Sequence, residues 1–109
     1  MREAKANLAI NNLMKDVSKK FDAEKVVSQL QDIRTLALEE EDPTIVKICR
    51  LASEYISENG NFDLGYVADE EIGDMTDFEY LMELMLKVDR QANREEIQEI
   101  RDRIKGELY

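Results

Sequence analysis

Apolar side chains recur every three or four positions along nearly the whole chain, and that period limits what it can fold into. Ala6, Ile10, Leu13, Val17 and Phe21 keep one such rhythm, Val26, Leu30, Ile33 and Ala37 a second, and Ile45, Ile48, Cys49, Ala52, Tyr55 and Ile56 a third. An α-helix of about 3.6 residues per turn gathers each set onto one side, whereas a strand would scatter it over both faces. Only one Pro and four Gly interrupt the 109 residues, so little in the chain breaks helices. The expected fold is all-α: a compact bundle of four or five helices, one domain over residues 1–109, with a long acidic loop before a C-terminal helical hairpin.

Local signals set the expected ends. The first helix covers about residues 3–20 and carries Lys5, Lys15, Lys19 and Lys20 on its polar side. Its apolar stripe contains Ala and has one aromatic at its end, which suits a domain helix better than one lying on a membrane. Asp22 is the N-cap of a helix over about 23–40, where Val27, Leu36 and Leu38 widen the apolar face. Glu39, Glu40 and Glu41 then place negative charge at a helix C-terminus, where the macrodipole disfavours it and predicts fraying. Asp42 and Pro43 restart the chain as cap and first helical residue, and the third helix runs to about Glu58, with Asn59 and Gly60 as a left-handed stop.

Thr76, Asp77, Phe78 and Glu79 form a capping box that opens a helix over about 77–92. That helix reads FEYLMELMLKV, with Phe78, Leu81, Met82, Met85 and Val88 on one side and Tyr80, Leu84 and Leu86 spread around the cylinder. A helix apolar nearly all round must be covered on more than one face, so it is either central or shared with a second copy. Self-association is accordingly expected through Tyr80, Met82, Leu84, Met85 and Leu86, two of them adaptable methionines. Asn93 caps the last helix, which ends near Lys105 before Gly106 and shows a narrow seam of Ile97, Ile100, Ile104 and Leu108. Glu99 stands four residues before Arg103 for a supporting ion pair.

The stretch SENGNFDLGYVADEEIGD between the third and fourth helices invites comparison with a calcium loop. A register starting at Asn59 supplies oxygen ligands at Asn59, Asn61, Asp63 and Glu70, but Leu64 stands where the glycine belongs. A register starting at Ala68 recovers Gly73 and Glu79 yet loses two ligand positions to Ala68 and Ile72. Neither builds the usual cage, and helix stop and start signals account for the same residues. Phe62, Leu64, Tyr66, Val67 and Ile72 are expected to pin the loop to the core, with a strand over 62–67 and a helical turn from Asp69 both open.

Charge is distributed unevenly around the net −10. Residues 1–38 hold seven basic and five acidic side chains, whereas residues 39–109 hold eight and twenty. Between Arg50 and Lys87 there is no basic residue. Such a field repels nucleic-acid phosphates and attracts a basic protein or metal cations. No window approaches the roughly 18 consecutive apolar residues of a membrane span, and the N-terminal stretch lacks a signal-peptide core. The lone Cys49 lies on an apolar stripe and reads as a buried thiol, which fits a reducing, cytoplasmic setting.

Catalytic chemistry has few candidates. The chain has no His, so a Ser–His–Asp triad and His-ligated zinc are both excluded, and there is no glycine-rich phosphate loop. Glu95, Glu96, Ile97, Gln98 and Glu99 resemble the first half of the E-E-x-x-E and E-x-x-D pattern of all-α nucleotide pyrophosphatases. The second half has no counterpart in the ten residues that follow, and carboxylates in such a spacing are usually a solvated helix face. The reading is therefore a non-enzymatic, acidic protein-interaction module without cofactor or metal, self-associating and binding a basic partner protein through Asp69, Glu70, Glu71, Asp74 and Asp77. A sharper form is a nucleic-acid mimic that occupies a DNA-binding protein. The competing readings are a divalent-cation-responsive switch in loop 59–75 and, third, a Mg²⁺-dependent carboxylate enzyme.

Overall fold

A computed structural model of the chain describes residues 4–66 and 75–109. Five helices account for most of them: α1 (Ala4–Lys19), α2 (Ala23–Glu39), α3 (Pro43–Asn59), α4 (Asp77–Leu86) and α5 (Gln91–Leu108), with no strand among the described residues. Their principal contacts close a ring in the order α1, α2, α3, α5, α4 and back to α1. The periodic residues turn inward as their spacing requires: Ile10, Leu13, Leu30, Ile33, Ile45, Ile48, Ile56 and Ile104 are all fully buried in one shared core.

The expected punctuation forms at four places. Asp22 accepts from the Lys25 N–H and Asp42 from the Ile45 N–H, both at 3.4 Å, while Pro43 opens α3. Gly60 closes α3 at φ 75°, a left-handed position that costs glycine nothing. At α4 the Glu79 N–H donates to Thr76 Oγ1 at 3.1 Å and the Thr76 N–H donates to Glu79 Oε1 at 3.3 Å. That reciprocal pair satisfies two otherwise unpaired backbone donors.

Four expectations change. The acidic end of α2 does not unravel: the Asp42 N–H donates to the Ala37 carbonyl at 3.0 Å and the Glu41 N–H to Leu38 at 3.1 Å. This is a Schellman closure, built with Glu41 at φ 56° where a glycine is usual. The fourth helix ends at Leu86 and the fifth begins at Gln91, so Asn93 lies inside α5 and its amide donates instead to the Lys87 carbonyl at 3.0 Å. Gly106 lies within α5 rather than ending it. Leu38, counted above with the apolar face of α2, is 52% exposed.

The unusual apolarity of α4 has an internal explanation. Met82 and Met85 are fully buried and Leu84 nearly so, because α4 packs between α1 and α5 and is capped by the chain that follows α3. Phe62 from that chain stands edge-on to Phe78 of α4 at 5.6 Å, Tyr55 of α3 stands edge-on to Phe62 at 5.8 Å, and Phe21 completes the row against Phe78. Edge-to-face rings add attraction beyond the area they bury. Met82, Leu84 and Met85 are thus core residues, and Tyr80 and Leu86 are half-buried.

Cys49 is buried on α3, and desolvation pushes its thiol up to about 12 against a smaller lowering by the nearby Arg34 charge. Burial in this way keeps the thiol in its protonated form, whereas nucleophiles and metal ligands use the thiolate. No described helix is long and apolar enough to cross a membrane.

Candidate functional site

Of the five acidic residues expected to meet a partner, Asp69, Glu70, Glu71 and Asp74 lie outside the described residues. Asp77 lies within them and is withdrawn from the surface. It is the first residue of α4, 7% exposed, and its Oδ2 accepts from the Leu64 N–H at 2.6 Å. A carboxylate at a helix N-terminus is favoured by the macrodipole, and here it also takes up a buried backbone donor that would otherwise be unsatisfied. Asp77 is a latch holding residues 62–66 to α4.

That short segment reaches the surface through Tyr66. Its hydroxyl donates to Glu99 Oε2 at 3.0 Å, and beside it the Tyr80 hydroxyl of α4 donates to Glu96. The two rings lie 6.0 Å apart with a tilt of 35°. Glu96 and Glu99 are neighbours on α5 because residues three apart share a helix face. Arg103, one turn further, does not pair with Glu99 as its spacing suggests. Its guanidinium sits 5.7 Å from the centre of the Tyr66 ring and donates to the Leu64 carbonyl at 3.1 Å. An arginine is held here by an aromatic face and a carbonyl oxygen, with carboxylates close by.

Electrostatics follow from this packing. Partial burial, the hydrogen bond to Glu96 and the charges of Glu96 and Glu99 push the Tyr80 phenol up to about 12. Burial, the hydrogen bond to Glu99 and the neighbouring charges push Tyr66 up further. Both phenols stay protonated donors across the physiological range, so the cluster is a hydrogen-bonded surface rather than an acid–base pair.

The expected metal chemistry finds little in the described part of loop 59–75. Asn59 Nδ2 donates to the Tyr55 carbonyl at 3.0 Å, Asn61 Nδ2 donates to the Asn59 carbonyl at 3.2 Å, and Asn61 Oδ1 accepts from the Asp63 N–H at 3.1 Å. Two of the candidate calcium ligands are therefore engaged with their own backbone as a helix stop and an Asx turn. Among the described residues no group of three or more acidic, Cys or His side chains is placed to hold a metal ion. Glu96 and Glu99, from the E-E-x-x-E stretch, are occupied by tyrosines.

Sequence reasoning missed this cluster because its partners lie 16 and 33 residues apart. The one available signal was the presence of Tyr66 and Tyr80 within the base-free stretch. Comparison with protein families, with characterised proteins and with solved structures finds no match to this chain.

Proposed function

We propose that this chain is a small acidic interaction module whose α4–α5 face receives an arginine-rich segment of a basic partner protein. The observation that supports it most directly is the Tyr66, Tyr80, Glu96 and Glu99 cluster: aromatic faces and carboxylates side by side, already holding an arginine of the chain itself. The net charge of −10 and the base-free window from 51 to 86 supply long-range attraction, while the tyrosines supply contact area. The reading is non-enzymatic, and the buried thiol of Cys49 is compatible with work in a reducing compartment such as the cytoplasm. Self-association through α4 would have to rest on the half-buried Tyr80 and Leu86, since Met82, Leu84 and Met85 are buried in the core.

Fluorescence anisotropy with a labelled arginine-rich peptide tests the proposal. Saturable binding is expected, weakening as salt rises and reduced by Glu95→Lys together with neutralisation of Asp69, Glu70, Glu71 and Asp74. Equal binding of a glutamate-substituted peptide would remove the electrostatic basis. A calcium-dependent rise of the melting midpoint would instead favour the cation-responsive loop.

A further inference from the structure

The α4–α5 face already holds a guanidinium, and its surroundings show what such a group meets there. Glu96, Glu99 and Arg103 share one side of α5, three and then four residues apart. Arg103 is exposed, sets its guanidinium 5.7 Å from the centre of the Tyr66 ring and donates from Nη1 to the Leu64 carbonyl at 3.1 Å. It forms no ion pair with a described residue, although Glu99 stands one turn away. Glu96 and Glu99 each accept one tyrosine hydroxyl through Oε2 and likewise enter no ion pair with a described residue.

This seat is built without help from its occupant. Leu64 is held from its other side, where its N–H donates to Asp77 at 2.6 Å. Phe62 anchors the same segment in the aromatic row, and the Tyr66 hydroxyl fastens its end to Glu99. The occupant, by contrast, is loosely kept. A cation over an exposed ring lies at the weak end of its kind, and one hydrogen bond to a carbonyl adds modestly in water. An exposed side chain changes rotamer within nanoseconds, so Arg103 can swing into solvent while the backbone of α5 stays in place.

We infer that Arg103 is a resident competitor for the arginine seat: a guanidinium of the basic partner displaces it, stacks on Tyr66 and takes up the Leu64 carbonyl. The inference rests on the interaction reading above and adds to it a specificity and a regulation. Specificity follows from shape. A flat guanidinium covers the ring and presents donors in one plane toward the carbonyl, whereas a lysine ammonium is a compact, strongly hydrated charge that gains little from either. Regulation follows from occupancy, because a site filled by its own side chain binds an incoming group more weakly in proportion to the time it stands empty. A lone cation is thereby refused, and a segment carrying several arginines is admitted.

The test compares wild type with Arg103→Gln by anisotropy, using an arginine-rich peptide and its all-lysine counterpart, with Lys105→Gln as the control for one lost positive charge. Arg103→Gln should bind the arginine peptide about threefold to tenfold more tightly than wild type, the gain expected if Arg103 fills the seat between about two-thirds and nine-tenths of the time. Lys105→Gln with the arginine peptide, and Arg103→Gln with the lysine peptide, should each gain less than about twofold, the scale of a screened surface charge. A second readout uses the wild-type chain. The Arg103 Nε–H resonance, shifted by the Tyr66 ring and assigned by its loss in Arg103→Gln, should move to its solvent-exposed position as the arginine peptide saturates. Circular dichroism melts verify folding, and if Arg103→Gln loosens residues 62–66 the wild-type resonance decides. A resonance that stays in place at saturation, or a lysine peptide that gains as much from Arg103→Gln as the arginine peptide does, overturns the competitor and leaves the interaction module standing. Failure of the arginine peptide to bind either protein overturns both.

Discussion

Arg94 grips Asp42 with both arms of its guanidinium, Nη2 to Oδ2 at 3.1 Å and Nη1 to Oδ1 at 3.3 Å, across 52 residues of sequence. Asp42 is almost fully buried and also caps α3, so one carboxylate serves a helix start and an interhelical tie. Forked geometry of this kind is the strong form of a charge-assisted hydrogen bond. It joins the α2–α3 corner to the start of α5, a connection that no cap or turn signal reveals.

Arg94→Ala is expected to destabilise the fold by about 1–2 kcal/mol, between the value of an exposed pair and that of a fully buried one. Asp42→Asn should lose the charge and keep the cap, whereas Asp42→Ala should lose about 1 kcal/mol more. A double-mutant cycle in urea measures the coupling, and additive single effects would mean that the two side chains do not stabilise one another.

Glu41 occupies a left-handed position that costs a non-glycine residue about 1–2 kcal/mol. Glu41→Gly should therefore stabilise, by about 1 kcal/mol after the added freedom of the unfolded chain is allowed for, despite removing a side chain. A rise in melting temperature of about 4–8 °C is the expected size in a domain of this length. A fall would mean that the Schellman closure does not hold in solution.

Gly106 presents the reverse case. It lies in the last turn of α5 with nothing within 4 Å of the place a Cβ would occupy. Gly106→Ala should stabilise by about 0.5–1 kcal/mol through helix propensity alone. Denaturant midpoints of Glu41→Gly, Gly106→Ala and the double variant should add, since the two backbone effects share no partner.

The tyrosines give the fold a pH signature. Tyr80 is raised from an ordinary 10 to about 12, so the folded state holds a proton that the unfolded state releases earlier. Its contribution to stability is complete below pH 10 and is lost as the pH climbs through about 12. Phenolate absorbance should thus appear late and together with unfolding. Tyr80→Phe should cost about 0.5–1.5 kcal/mol at neutral pH. It should also flatten the alkaline limb, and an unchanged limb would remove Tyr80 from it.

What could be read in advance was whatever depends on neighbours within a turn or two. The cores of α1, α2 and α3, the caps at Asp22 and Asp42, the stop at Gly60 and the capping box at Thr76 are all local bargains between side chain and backbone. The break at Lys87–Arg90 was not legible, because no Gly or Pro marks it and Arg90 starts α5 without a side-chain cap. Arg103 chose Tyr66 over Glu99, and Asp77 chose Leu64 over solvent, only because folding brought distant residues together. At Arg103 and Asp77 a long-range partner displaced the local one that spacing suggests.

The solitary thiol of Cys49 makes the molecule its own stopwatch. Alkylating reagents attack the thiolate, which burial denies them in the closed fold, and no other sulfhydryl competes for the label. Every Cys49 that becomes modified at neutral pH therefore records one opening of the helices around it, wide enough to admit the reagent. The rate of that slow count ranks substitutions by how tightly they keep the ring shut, with no dye, tag or engineered probe.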